Sequence, residues 1–123
     1  MDNLPIPEYD EVPLKGIAPG LTGLRILFVN VFAITNPQGG WVLVDSGIPY
    51  SAGRIRNWVG SQFGHGASPL AIIQTHGHFD HTGALKDLAE EWEVPVYAHR
   101  DEMPFLSGRE KYPRPDTSAG VAL

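Results

Sequence analysis

Three histidines and one aspartate lie within six positions of the chain, at His76, His78, Asp80 and His81. Neutral imidazole and carboxylate are ligands that first-row metal ions such as zinc prefer. The cluster follows the apolar run 70–73 and precedes a helical pattern, so we expect it on a turn between a buried strand and a helix. Buried polar groups without partners are costly, and this spacing therefore indicates a metal site rather than a solvated loop rich in histidine.

Hydrolysis is the chemistry that such a cluster would support. A bound zinc ion lowers the pKa of its water from roughly 16 to about 7, so hydroxide is available at neutral pH. The sequence has no cysteine, so any metal ion must be held by nitrogen and oxygen ligands.

The segment His76 to His81 resembles the signature of the metallo-β-lactamase-fold superfamily. Two weaker blocks match upstream in the family's order: residues 30–34 resemble its early strand, and residues 41–47 resemble its next strand and an Asp-x-Gly turn. The resemblance spans the chain from about Val12 onward and covers the N-terminal half of the family's domain. It implies an α/β fold, the ββα half of an αββα sandwich, with a mixed, largely antiparallel sheet that carries two helices on one face.

The resemblance also implies roles for individual residues. His76 and His78 would help to hold one metal ion, and Asp80 and His81 would hold a second. A water between the two ions, which are zinc in the hydrolases of the family, would be the nucleophile, and two ions about 3.5–4 Å apart can stabilise the oxyanion that forms when it attacks. Asp80 would orient this hydroxide or pass a proton to the leaving group. Asp45, at the end of a strand, would lie behind the loop that contains residues 76–81 and fix the orientation of an imidazole ring.

The remaining ligands of the family are one more histidine for each metal ion and a bridging aspartate, all further along the chain. After His81 this sequence has only His99, which we interpret as a surface or hydrogen-bonded histidine. Two metal ions would share four side chains here, whereas one closed site needs three or four protein ligands. The sequence therefore predicts a single, incomplete domain over residues 1–123.

Three functions are open on this basis. The first is a zinc-dependent hydrolase, glyoxalase II-like or lactonase-like, that cleaves a small-molecule thioester, ester or lactam; the phosphodiesterase branch of the family, which includes tRNA-processing nucleases, shares the motif. The second is an iron-dependent sulfur dioxygenase of the same fold. The third is a non-catalytic metal-binding fragment that needs a partner half to complete its site.

Composition limits the partners and the location. Nine Lys and Arg against fourteen Asp and Glu give a formal net charge of −5, which argues against a nucleic-acid binder because phosphate contacts need a basic surface. The N-terminus shows no basic segment followed by an apolar run, and no apolar stretch is long enough to span a bilayer. The expected location is cytoplasmic, with no membrane partner.

Hydrophobic periodicity and turn residues predict the elements that position the cluster. The predicted strands are residues 12–17, 24–34, 41–45, 69–74 and 94–98. Strand 24–34 is expected to be buried on both faces and to pair with strand 41–45 as a hairpin. One helix runs from the N-cap Ser51 to Gly64, a second opens at His81 or Thr82, and Asp101 caps a last helical turn that ends before Pro104. Trp58, Phe63 and Trp92 are expected in the core, and residues 1–11 and 107–123 in an irregular lead-in and tail. Without its partner half the sheet would leave an apolar face unpaired, which predicts self-association.

Overall fold

The computed structural model describes residues 11–77 and 79–106, the side chains of Phe79, Asp80 and Phe105 excepted. The predictions for the lead-in before residue 11, for His78, for the side chain of Asp80 and for the tail lie outside the described residues. The strands are β1 (Glu11–Ala18), β2 (Leu21–Ile26), β3 (Val29–Thr35), β4 (Trp41–Val44), β5 (Ala71–Gln74) and β6 (Val96–Ala98). The helices are α1 (Ala52–Phe63), α2 (Phe79–Thr82), α3 (Leu85–Trp92) and α4 (Met103–Leu106), with a 3₁₀ turn at Arg100–Glu102.

The six strands form one mixed sheet in sequence order. Strands β1 to β4 are antiparallel neighbours, whereas β4, β5 and β6 run parallel. The two parallel connections pass through α1 and α3, and because such crossovers are right-handed, both helices cover the same face of the sheet. An ion pair of 3.4 Å between Arg56 of α1 and Glu91 of α3 joins the two helices on that face. The predicted mixed sheet with helices on one face is confirmed.

The core lies between the sheet and the two helices. Inward-facing residues alternate along β2, β3 and β4, as the period of two in a strand requires. Trp41 of β4 stacks on Phe63 of α1 with ring centroids 4.2 Å apart, and Trp92 of α3 meets Trp41 edge-on at 6.3 Å. Burial of each large apolar side chain contributes about 1.5–3 kcal/mol. The largest fully buried apolar side chains are Leu24, Ile26, Val31, Leu43, Ile55, Val59, Ile72 and Leu88.

The prediction of one strand over residues 24–34 was wrong. This apolar run contains the end of β2, a tight turn at Leu27 and Phe28, and most of β3. Leu27 takes a left-handed backbone conformation with φ 56°, which a β-branched or bulky residue adopts at a cost. The run was mistaken for one strand because its turn residues are apolar and lack the usual Gly, Asn or Asp. Its strands are buried on the helix-facing side only.

The boundaries of three helical segments also differ from the prediction. Helix α2 begins at Phe79, earlier than predicted, and α3 is a separate helix. Ser51 occupies the N-cap position of α1, but its hydroxyl donates to the carbonyl of Ile48 at 2.6 Å and makes no capping bond. The last turn is capped by His99, whose Nδ1 accepts from Asp101 N, so the predicted cap at Asp101 was wrong. The predicted helix end at Gly64, with φ 104°, is confirmed.

The sheet face opposite the helices is apolar. Phe32 lies beside Val44, Val44 beside Ile73, and Ile73 beside Tyr97, so one apolar row crosses β3 to β6. Ile34 is 48% exposed and Tyr97 is 60% exposed on this side. The face therefore remains uncovered in the described part of the chain. Within that part, no helix has the length and apolar character needed to cross a bilayer.

Candidate metal centre

The candidate site forms where β4 and β5 end. These strands are parallel, so their carboxyl ends meet at one edge of the sheet, where α/β proteins place ligands. Strand β4 delivers Asp45, whose backbone N–H donates to the carbonyl of Ile73 at 2.8 Å, and β5 delivers Thr75 and His76. Helix α2 follows shortly afterwards and contains His81, which lies at the ends of these strands.

The carboxylate of Asp45 organises this edge. Asp45 is 5% exposed, and its backbone has a left-handed φ of 67°, an uncommon conformation that recurs at functional sites. Its Oδ1 accepts a hydrogen bond from Thr75 N at 2.9 Å, and its Oδ2 accepts one from His81 Nδ1 at 3.0 Å. The hydroxyl of Thr75 lies 2.9 Å from both carboxylate oxygens. One buried carboxylate thus holds the strand end and the helical histidine together.

The same contacts assign the tautomers of two histidines. A carboxylate can only accept, so the Thr75 hydroxyl donates its single proton to Asp45. The Oγ1 of Thr75 also lies 2.9 Å from His76 Nδ1, and it must therefore accept from an Nδ1–H of that ring. His81 Nδ1–H likewise donates to Asp45. In both rings the lone pair available for a metal ion is then on Nε2.

The rings of His76 and His81 are neighbours. Their centroids are 4.3 Å apart with the planes inclined at 49°. Two imidazoles of one tautomer, each with its Nδ1 bound to protein, form the donor type that zinc and iron take. Within residues 11–77 and 79–106 no three His, Asp or Glu side chains are arranged so that they could hold a metal ion by themselves. The structure thus places Asp45, His76 and His81 at one site, while His78 and the carboxylate of Asp80 lie outside the described residues.

A buried amide that the sequence analysis did not single out fixes the backbone of His81. Gln74 is 2% exposed, and its Nε2 donates to the carbonyl of His81 at 2.8 Å. Its Oε1 accepts from the hydroxyl of Ser46 at 2.6 Å, and Ser46 N donates to the same His81 carbonyl at 2.8 Å. A glutamine at an inward position of an otherwise apolar strand was the available signal, because buried polar groups require partners.

Two glycines allow the loop after β4 to touch the chain after α2. Gly83 N donates to the carbonyl of Gly47 at 2.7 Å, and Ala84 N donates to that of Ser46 at 3.1 Å. A Cβ atom at Gly83 would overlap the backbone of Ile48 and Pro49. Glycine at position 83 is therefore a steric requirement of the site.

The two remaining histidines, His99 and His65, lie outside the cluster at positions 76–81. His99 is exposed, and its Nδ1 accepts from Asp101 N at 3.1 Å, in agreement with its interpretation as a hydrogen-bonded surface residue. His65 lies in the loop after α1 and lines a cavity of about 420 Å³ together with Arg56 and Trp92. Among the described residues, neither His76 nor His81 lines this cavity.

Known proteins resemble this chain over most of its length. Residues 24–120 match the metallo-beta-lactamase superfamily. The probable metallo-hydrolase YflN of Bacillus subtilis strain 168 is 47% identical over 108 residues, which cover 85% of this chain and 41% of YflN. A hydroxyacylglutathione hydrolase of Nitrosomonas eutropha is 33% identical over 73 residues, which cover 59% of this chain and 26% of that enzyme.

A solved structure shows the same fold. BJP-1, a subclass B3 metallo-beta-lactamase of Bradyrhizobium japonicum, superposes with a TM-score of 0.69 at 27% sequence identity, and the match covers 78% of this chain and 36% of BJP-1. The chain spans about two-fifths of the length of YflN. Because the superfamily match covers residues 24–120, the chain belongs to the metallo-beta-lactamase superfamily of metallo-hydrolases.

Proposed function

We propose that this chain is the metal-binding part of a zinc-dependent hydrolase that cleaves thioester, ester or lactam bonds of a small molecule. The observation that carries the proposal is the Asp45 network. It holds His76 and His81 side by side, with Nδ1 of each ring bonded to protein, and Nε2 is the proposed coordinating atom. Such outer hydrogen bonds orient imidazole ligands and raise their basicity.

The proposed ligands divide between two zinc ions. His76 and His78 would help to hold one ion, and Asp80 and His81 would hold the other. Zinc in such a site supplies a polarised water and positive charge for a developing oxyanion. The protein's contribution is to position: Thr75 holds His76, Asp45 holds His81, and Asp80 is proposed to orient the attacking water or to pass a proton to the leaving group.

The bond type follows from the relatives. The names hydroxyacylglutathione hydrolase and metallo-beta-lactamase describe enzymes that act on an acyl carbonyl group, in a thioester and in a lactam respectively. The net charge of −5 supports a small molecule as substrate rather than nucleic acid. The β-lactam is one member of this class and has no stronger support here than the thioester.

A second candidate is a metal-binding fragment that needs a partner half for catalysis. Two observations favour it: the chain spans 41% of YflN, and among the described residues no three His, Asp or Glu side chains are arranged so that they could hold a metal ion by themselves. In this case the chain binds metal but does not hydrolyse, because a closed site needs three or four protein ligands.

One experiment separates these functions. The purified chain is loaded with zinc, its metal content is measured, and its hydrolysis of a thioester, an ester and a β-lactam is compared with that of His76→Ala. Hydrolysis that His76→Ala abolishes supports the hydrolase, and bound zinc without hydrolysis supports the fragment. Iron as the metal that co-purifies would favour the sulfur dioxygenase. A folded chain without affinity for either metal would overturn all three.

A further inference from the structure

Glu102 contacts the loop between β5 and α2, although its own segment supplies none of the proposed ligands. It is the last residue of the 3₁₀ turn Arg100–Glu102, which follows β6. Its Oε1 accepts a hydrogen bond from the backbone N–H of Gly77 at 3.1 Å, across 25 residues of sequence. Gly77 is the residue between His76 and His78. The contact therefore acts on the backbone that joins two proposed ligands.

The fold brings this carboxylate to the loop. Strand β6 runs parallel to β5, with Gln74 beside Ala98, so both strands end at the edge that carries the candidate site. The chain then turns at His99, whose carbonyl accepts from Glu102 N at 2.9 Å. The ring of His99 closes the same turn by accepting from Asp101 N at 3.1 Å. A short, internally bonded turn thus presents Glu102 while Asp101 faces solvent.

The hydrogen bond from Gly77 to Glu102 is important because its donor is a glycine. Glycine loses more backbone freedom on ordering than any other residue, so a loop with glycine between two ligands is easily misplaced. The hydrogen bond from Gly77 N to the Glu102 side chain ties this backbone to the turn after β6. We propose that Glu102 is a positioning residue, which fixes the Gly77 backbone and thereby the adjoining ligand His76. This role rests on the proposed metal-binding function.

Four variants of the full chain test the role. Glu102→Ala removes the acceptor, and Glu102→Asp keeps the charge but shortens the side chain beyond reach of Gly77. Glu102→Gln keeps an acceptor oxygen without the charge. Asp101→Ala is the matched control, because it removes an exposed carboxylate from the same turn. The two readouts are amide hydrogen exchange at Gly77 in the metal-free chain, measured by NMR, and zinc affinity from competition with a chromophoric chelator.

We expect exchange at Gly77 to accelerate at least about tenfold in Glu102→Ala and Glu102→Asp, and zinc affinity to fall roughly 10-fold or more, as for other outer partners of metal ligands. Glu102→Gln and Asp101→Ala should stay within about threefold of the parent chain. The proposal is overturned if exchange and affinity are unchanged in both Glu102→Ala and Glu102→Asp, or if Glu102→Gln is as defective as Glu102→Ala. If the parent chain binds no zinc, the proposed function fails instead, and exchange at Gly77 still decides whether Glu102 holds the loop.

Discussion

Asp45 and His81 are 36 residues apart in sequence, and a hydrogen bond of 3.0 Å joins Oδ2 of the buried carboxylate to Nδ1 of the imidazole. The carboxylate comes from the end of a strand and the ring from the short helix α2. Their contact therefore links the scaffold to the metal loop. Because it sets the tautomer of His81, it also decides which ring nitrogen would face a metal ion in the proposed site.

Asp45→Asn tests this link. The amide oxygen can still accept from Thr75 N, but its NH₂ group then faces His81 Nδ1 and can only donate. The His81 proton is thereby moved to Nε2, the wrong tautomer for coordination. We expect zinc affinity to fall roughly 10- to 100-fold, as is usual when such a partner is lost. Competition titration measures the loss, with Asp87→Asn, an exposed aspartate of α3, as the control. Equal affinity in Asp45→Asn and the parent would refute the tautomer argument.

Gly83→Ala tests the close contact between Gly83 and the loop after β4. The added methyl group would overlap the backbone of Ile48 and Pro49, and backbone atoms cannot move aside as a side-chain end can. We expect the free energy of unfolding in urea to drop by about 3 kcal/mol, at the upper end for overpacking. Gly60→Ala is the control: a Cβ there meets nothing within 4 Å, and alanine favours the helix by roughly 0.5–1 kcal/mol. If Gly83→Ala has the same free energy of unfolding as the parent chain, the loop after β4 and the chain after α2 are farther apart than described.

Gln74→Met tests the buried amide. Methionine has a similar length but leaves the Ser46 hydroxyl and the His81 carbonyl with fewer partners. The expected loss is about 1–3 kcal/mol of unfolding free energy, the usual cost of leaving a buried polar group unsatisfied. Gln62→Met, at an exposed position of α1, controls for the change of residue type. If both variants unfold at the same urea concentration, Gln74 does not support the helix that carries His81.

The uncovered sheet face predicts self-association of the chain. Large apolar patches on a soluble protein are usually covered by a partner, and here Ile34 and Tyr97 are exposed on that face. We expect light scattering to show dimers or larger species at micromolar concentration, and Ile34→Lys to shift them toward monomers. Gln62→Lys adds the same charge on a helix and should leave the association unchanged. A monomeric parent chain would contradict this prediction.

The fold was largely predictable from local patterns, and the contact of Asp45 with an imidazole ring from the family resemblance, whereas the other contacts that hold the site were not. The strand before the histidines, the helix that ends at Gly64 and the hairpin between β3 and β4 follow from periodicity and turn residues. The turn at Leu27 was missed because apolar residues occupy it and Leu27 takes a left-handed conformation that local propensity disfavours. The bonds from Gln74 to His81 and from Glu102 to Gly77 depend on which strand ends meet, which is a tertiary property.

The zinc stoichiometry and affinity of the purified chain test the central claim most directly. The account predicts that the parent chain binds zinc and that His76→Ala and His81→Ala each weaken binding at least tenfold. His99→Ala, which alters an exposed histidine of the same sheet edge, should bind like the parent. A folded chain that binds no zinc, or His76→Ala and His81→Ala variants that bind it as tightly as His99→Ala, would contradict the assignment of the metal centre.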